Sequence, residues 1–164
     1  MKRFLPLFLI PLFFLVSCAT TDVPKEPLEE SVLVVEVPNV TKDELWGRVN
    51  SWCIDAFKDS TNVVQFTDKE AGVIRGKFTG RYDGYFYQYV QTTFSAEVKD
   101  FKARLKFYDA TRIVMGDIMF GAYYQNSEIP VYTTDVNLIE KIKADWTTLA
   151  KYFEIKLTST EDDW

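Results

Sequence analysis

The stretch VIRGKFTGRYDGYFYQYVQTTFSAEVKDFKARLKFYDATRIV, residues 73–114, decides the architecture of this chain. Apolar side chains recur at alternate positions, at Ile74 and Phe78, then at Phe86, Val90 and Phe94, then at Ala103, Leu105 and Phe107. Cations, tyrosines and threonines fill the positions between them. A period of two belongs to strands with one buried face and one wet face. Lys99-Asp100 reads as a two-residue turn that pairs Val98 with Phe101, Glu97 with Lys102 and Phe94 with Leu105. Asp83-Gly84 invites a second two-residue turn, but that register puts Arg75 and Lys77 on the face of Phe94 and Leu105. A three-residue loop, with Gly84 left-handed, keeps the sorting clean and sets Lys77 opposite Tyr89 and Arg81 opposite Tyr85.

Working outward, Val64 and Phe66 belong to a further strand that reaches Val73 through the polar turn Asp68–Gly72. The apolar face then carries Phe66, Ile74, Phe78, Phe86, Val90, Phe94, Ala103, Leu105 and Phe107. The opposite face carries Arg75, Lys77, Thr79, Arg81, Tyr85, Tyr87, Tyr89, Gln91, Lys102, Arg104, Lys106 and Tyr108. Upstream, Thr41 and Glu44 have the spacing of a capping box, with Val40 and Leu45 placed as a hydrophobic staple. The helix they open aligns Leu45, Val49, Trp52, Cys53, Ala56 and Phe57 on one side and ends near Lys58. Val32–Val37, closed by Pro38, is a first strand. Downstream, Thr133 or Thr134 caps a last helix whose Leu138, Ile139, Ile142, Trp146, Leu149 and Phe153 share a face as far as about Lys156. Between them, 116–133 is long for a structureless connection. It is either a functional loop or contains a short strand or turn. The order strand-helix-four strands-helix predicts a two-layer α+β domain: a five-stranded antiparallel sheet with two helices on one face and the other face open.

The amino terminus assigns an address. Met1-Lys2-Arg3 is a basic leader, Phe4–Val16 a nearly continuous apolar run, and Leu15-Val16-Ser17-Cys18 resembles a lipobox. The run is shorter than the roughly 18–20 residues a membrane-spanning helix needs, so it reads as a signal peptide. Cys18 is the expected lipidation site, and an ordinary cleaved signal peptide is the alternative. The chain thus divides into signal peptide 1–17, lipidated cysteine and flexible tether 18–31, a single domain 32–157, and an acidic tail 158–164; the alternative for the tether is a pre-strand packed on the domain. Ala19 after the lipidated cysteine points to the outer membrane of a bacterial envelope.

Composition narrows the chemistry. The formal charge is −5 over 164 residues, and losing Lys2 and Arg3 with the leader makes it −7. Acidic chains are poor general ligands for phosphate backbones, so nucleic acid is not an expected partner. Histidine is absent, which removes the imidazole base of nucleophilic triads and most zinc sites. No P-loop, dinucleotide fingerprint or calcium loop occurs. No cofactor or metal is expected. With Cys18 acylated, Cys53 is a lone cysteine on the apolar side of a helix and reads as a small buried hydrophobe.

Lys42-Asp43-Glu44-Leu45-Trp46, then Trp52, then Asp68-Lys69-Glu70 with Gly72, Ile74 and Gly76 resemble a bacterial domain-of-unknown-function family described as having a TATA-binding-protein-like fold and common in envelope lipoproteins. The resemblance covers most of 32–156. It implies a sheet with the first strand beside the last, and it implies no activity and no catalytic residues.

Two surfaces are candidates for function. The open sheet face gathers Arg75, Lys77, Arg81, Lys102, Arg104 and Lys106 with Tyr85, Tyr87, Tyr89 and Tyr108. Such a face suits an anionic glycan, a lipid headgroup or a partner protein, or is simply a solvated outer face. The second is the apolar loop of Ile118, Met119, Phe120, Tyr123 and Tyr124, which either contacts a partner or membrane or folds back onto the domain. The expectation is a non-enzymatic binding or assembly module anchored to the membrane through Cys18. The alternative is a carboxylate-based hydrolase of envelope glycans, which needs two carboxyl groups facing each other across a cleft.

Overall fold

The computed structural model describes residues 25–84, 88–114, 118–119, 122–123 and 127–159, with side chains through Ile113 and again from Ser127. The elements run β1 (Ser31–Glu36), α1 (Lys42–Ala56), a short α2 (Ser60–Val63), β2 (Val64–Asp68), β3 (Val73–Tyr82), β4 (Gln88–Lys99), β5 (Lys102–Val114), β6 (Ile118–Met119), β7 (Ala122–Tyr123), β8 (Ser127–Pro130) and α3 (Val136–Thr158). The main sheet is antiparallel in the order β1-β5-β4-β3-β2, and β8 pairs with the far half of β5, making six strands. The first strand lies beside the last of the expected five. The sixth comes from 116–133, which also holds the small β6–β7 hairpin.

Helices α1 and α3 cover one face, and the reason lies in their apolar stripes. Leu45, Val49, Trp52 and Cys53 of α1 are buried, as are Leu138, Ile142, Trp146, Phe153 and Leu157 of α3. Trp52 meets Phe57, Phe94 and Phe153 edge-on, with ring centroids 5.6, 5.8 and 5.1 Å apart, while Phe107 stacks on Trp146 at 5.6 Å. Both helices are thus fixed to the central strands through aromatic rings, whose edge-to-face and offset arrangements are those a ring quadrupole favours. Thr41 caps α1, its Oγ1 accepting from the Glu44 amide at 3.4 Å. The N-cap of α3 is Asp135 rather than Thr133 or Thr134. Its carboxylate makes no capping bond and instead accepts from Arg112 of β5 at 2.8 Å.

Registers differ from the sequence expectation at two turns and two bulges. The β4–β5 turn is Asp100-Phe101, so Lys99 faces Lys102, Glu97 faces Arg104 and Phe94 faces Phe107. Phe101 has φ +67°, at the position where a type II turn needs a left-handed residue. The tip is pinned from outside: the Phe101 amide donates to the Val40 carbonyl at 3.0 Å, and the Lys42 amide donates to the Asp100 carboxylate at 2.9 Å. The β3–β4 connection is five residues rather than three, because Tyr82 turns into the core at 4% exposure and pairs with Gln88. Lys77 therefore faces Thr93, Arg81 faces Tyr89, and Tyr85 lies outside the described residues. Both slips are even-numbered and keep the faces of β3, of β4 and of β5 as far as Tyr108; beyond it a bulge at Asp109, φ +51°, turns Ala110 into the core and Thr111 and Ile113 outward. The bulge in β2 also changes a face. Lying between Val64 and Phe66, it inserts Gln65, and Phe66 emerges on the open side opposite Arg75.

The expected tether is also shorter than 18–31. Leu28 is 8% exposed and its amide donates to the Val131 carbonyl at 2.8 Å, while Thr133 donates to the Glu26 carbonyl at 2.9 Å. An apolar side chain with a slot beside Val131 and backbone partners for Glu26 and Leu28 makes docking better than solvation for this stretch.

Candidate binding face

The face away from the helices is assembled from residues that line up across the strands. One row runs Phe66, Arg75, Ser95, Lys106 and Val32; its neighbour runs Val73, Glu97, Arg104 and Val34. Further rows hold Lys77, Thr93 and Tyr108, then Thr79, Gln91 and Thr111, then Arg81, Tyr89 and Ile113. The outward residues of β4 are small and uncharged from Ser95 to Gln91, while long side chains rise from β3 and β5 on either side. The result is a shallow trough along β4 between two cation-bearing strands, whose backbones stand about 9–10 Å apart. Ser95 at its floor is only 6% exposed because its neighbours lean over it.

The expected cations all lie on this face, in different states. Arg104 is held by Glu97 at 2.5 Å, and Lys106 pairs with Glu30. Lys106 also sits over the Tyr108 ring at 5.2 Å, and the Arg75 guanidinium lies 5.8 Å from the centroid of Phe66. These are cation–π contacts of the face among the described residues; Lys77 and Tyr89, expected as partners, are not opposed, and the expected Arg81–Tyr85 pair lies outside the described residues. Tyr89 and Tyr108 are half-buried, whereas Tyr85 and Tyr87 lie outside the described residues. Members of the surface that were not singled out from the sequence include Glu30, Val32, Val34, Phe66 and Lys99. Lys99 follows from simple alternation once the turn is placed one residue later. Phe66 needs the bulge, which no composition signal marks.

At the β4–β5 turn a depression of about 190 Å³ is lined by Val34, Glu97, Lys99, Lys102, Ala103 and Arg104. Lys99 and Lys102 face each other directly across the strands, an arrangement of like charges that costs stability. The adjacent Asp100 does not relieve it, because its carboxylate accepts from the Lys42 amide.

Elsewhere the chemistry is structural. Cys53 is 1% exposed, and burial pushes its thiol up to about 12, the behaviour of an inert packing residue. Burial and the nearby Asp145 carboxylate raise the Tyr82 hydroxyl above its usual range. Among the described residues no group of three or more Cys, Asp or Glu is placed to hold a metal ion. Of the apolar-loop candidates, Ile118 and Met119 form β6 and Tyr123 ends β7, with side chains outside the description. Phe120 and Tyr124 lie outside the described residues altogether.

Comparison with known proteins bears on the fold alone. Residues 32–112 match the family described as a domain of unknown function (DUF4468) with TBP-like fold. A DUF4468 family protein from Bacteroides ovatus superposes with a TM-score of 0.53 at 9% identity, covering 82% of this chain and 89% of that one. A TBP-like protein from Parabacteroides distasonis gives a TM-score of 0.50 at 12% identity, covering 76% of this chain and 96% of that one. No curated protein matches the chain. The fold is TBP-like, and the matching family carries no assigned activity.

Proposed function

We propose that this TBP-like domain is a non-enzymatic binding module of the bacterial cell envelope, held at the outer membrane by a lipid on Cys18, and that its open sheet face takes an anionic glycan. One observation carries the reading. On a chain with net charge −5, the helix-free face concentrates Arg75, Lys77, Arg81, Lys102, Arg104 and Lys106 beside the rings of Phe66, Tyr89 and Tyr108. Cations beside aromatic rings, with hydroxyls and an amide between them, match carboxylated sugars: charge to charge, ring to ring, hydroxyl to hydroxyl. Nucleic acid fits the same face poorly, because the acidic remainder of the molecule opposes a polyphosphate.

The lipid reading rests on Leu15-Val16-Ser17-Cys18. With the chain docked from Glu26 onward, the residues from Cys18 to Glu26 reach at most about 28 Å, so an acylated Cys18 keeps the domain close to the bilayer surface. Cys18→Ser is expected to abolish incorporation of a labelled fatty acid and to release the protein from the membrane fraction.

The glycan reading is tested on immobilised polygalacturonate. The wild-type chain is expected to be retained and to elute as salt rises, since screening weakens exposed charge pairs. Arg75→Glu with Lys77→Glu is expected to abolish retention, and Lys143→Glu on the helical side to leave it unchanged. Equal retention of both variants, or none of the wild type, overturns the reading. Retention instead by an acidic protein matrix alone would replace the glycan with a protein partner.

A further inference from the structure

The two edges of the sheet are built differently. β2 is short and broken by the bulge at Gln65, a device that discourages further pairing. β1, which shares the other edge with β8, pairs among the described residues with β5 alone and has the sequence SVLVVE, without proline, lysine or bulge. Its hydrogen-bonding phase can be read from its end. The Val37 amide donates to Phe101 at 2.8 Å in continuation of the β1–β5 register. Odd-numbered residues therefore turn their backbone groups toward β5, and Val32, Val34 and Glu36 turn theirs outward. The side chains of Val32 and Val34 are 50% and 54% exposed on the open face, and Leu33 is half-buried on the helical side.

We infer that β1 pairs antiparallel with β1 of a second copy, about a two-fold axis passing through Leu33. The pattern is self-complementary, as an isologous contact requires. An axis at Leu33 sets Val32 of each copy against Val34 of the other. Both residues present outward backbone groups, so each such pair exchanges two N–H···O bonds. Leu33 meets Leu33 on the helical side, where each is incompletely covered. An axis at Val32 would oppose Val34 to Glu30, and one at Val34 would oppose Val32 to Glu36. The same register opposes Glu36 of one copy to Glu30 of the other, a like-charge pair whose cost is offset by Lys102 beside Glu36 and by the Lys106 bound to Glu30. The strand has limits on both sides, since Leu28 steps away to pair with Val131 and Pro38 follows Val37. Pairing is thereby confined to the stretch from Ser31 to Glu36. The two-fold axis stands perpendicular to the sheet, so both open faces lie on one side of a continuous sheet and all the helices on the other.

The experiment is cysteine crosslinking of the full chain in its own membranes. Opposed Leu33 residues form a non-hydrogen-bonded pair with Cα atoms about 4.5 Å apart, within disulfide range. Leu33→Cys is expected to give a covalent dimer under mild oxidation. Wild type, with Cys53 buried, and Ile129→Cys at an exposed site on β8 are expected to give none. Val32→Lys with Val34→Lys is expected to convert a dimer to a monomer by light scattering in detergent, with an unchanged circular dichroism spectrum. Crosslinking no better at Leu33→Cys than at Ile129→Cys, or a dimer that survives the double lysine variant, overturns the pairing.

Discussion

Single atoms decide several features of this domain. Gly76 lies on the core side of β3, where a Cβ would come 2.4 Å from the Val63 carbonyl oxygen and 2.6 Å from the Phe94 ring. The oxygen belongs to backbone rather than to a flexible side chain, so either it or the Phe94 ring must shift. Gly76→Ala is therefore expected to destabilise the fold by about 1–3 kcal/mol, the usual cost of overpacking a filled core. A denaturant midpoint lowered without a change in slope is the signature, and an unchanged midpoint refutes the packing argument. Phe66 shows the converse, an apolar ring that one inserted residue, Gln65, sends to the surface. There it covers the Arg75 guanidinium rather than joining Phe78 and Phe94 in the core.

At the scale of elements, the helices are joined by polar as well as apolar contacts. Asp55 of α1 pairs with Lys156 of α3 at 3.0 Å and accepts from the Tyr152 hydroxyl at 3.4 Å. The Lys156 hydrogen bond is the main cause holding its carboxyl below the usual range, with Lys156 charge and the Tyr152 and Ser51 bonds adding to it. A depressed folded pKa means that this contribution is present above the ordinary value of 3.8 and is lost as pH falls below it. Asp55→Asn is expected to lower stability slightly at pH 7, to flatten its decline below about pH 4, and to converge with wild type in strong acid. Parallel pH–stability curves for the two proteins would remove Asp55 from the acid limb. The segment before β1 behaves as an element too, although it belongs to no helix or strand. Leu28→Asp would bury an unpaired carboxylate and is expected to release the strap, exposing Lys25 to trypsin while leaving the sheet folded. Unchanged cleavage at Lys25 would count against docking.

For the whole molecule, the main consequence is the segregation of its two surfaces. The helices and the aromatic core occupy one side, and cations and exposed rings occupy the other. Trp52, Phe78, Phe94, Phe107, Trp146 and Phe153 tie α1, β3, β4, β5 and α3 to that core, which leaves the open face free of any structural duty beyond forming the sheet. Polygalacturonate retention reads that face, and dimerisation through β1 would place two such faces side by side. The two tests are independent, because Arg75 and Lys77 lie on β3, three strands away from β1.

Much of this was legible in the sequence, for a physical reason. Periods of two and of three to four report burial directly, so the order of the five main strands and two long helices, the cap at Thr41, the burial of Cys53 and the faces of β3, of β4 and of β5 up to Tyr108 follow from local pattern, while the bulge at Asp109 that reverses the rest of β5 does not. Cross-strand partners do not, because a slip of two or four residues leaves the pattern intact. The turn at Asp100-Phe101 was settled by Val40 and Lys42 holding its tip, and the β3–β4 loop by the burial of Tyr82. Contacts between residues far apart in the chain also decided the strap onto Val131, the Arg112–Asp135 pair at the start of α3, and the side on which Phe66 emerges. Local chemistry thus determined which faces exist, and only tertiary packing decided which charges and rings stand next to one another on them.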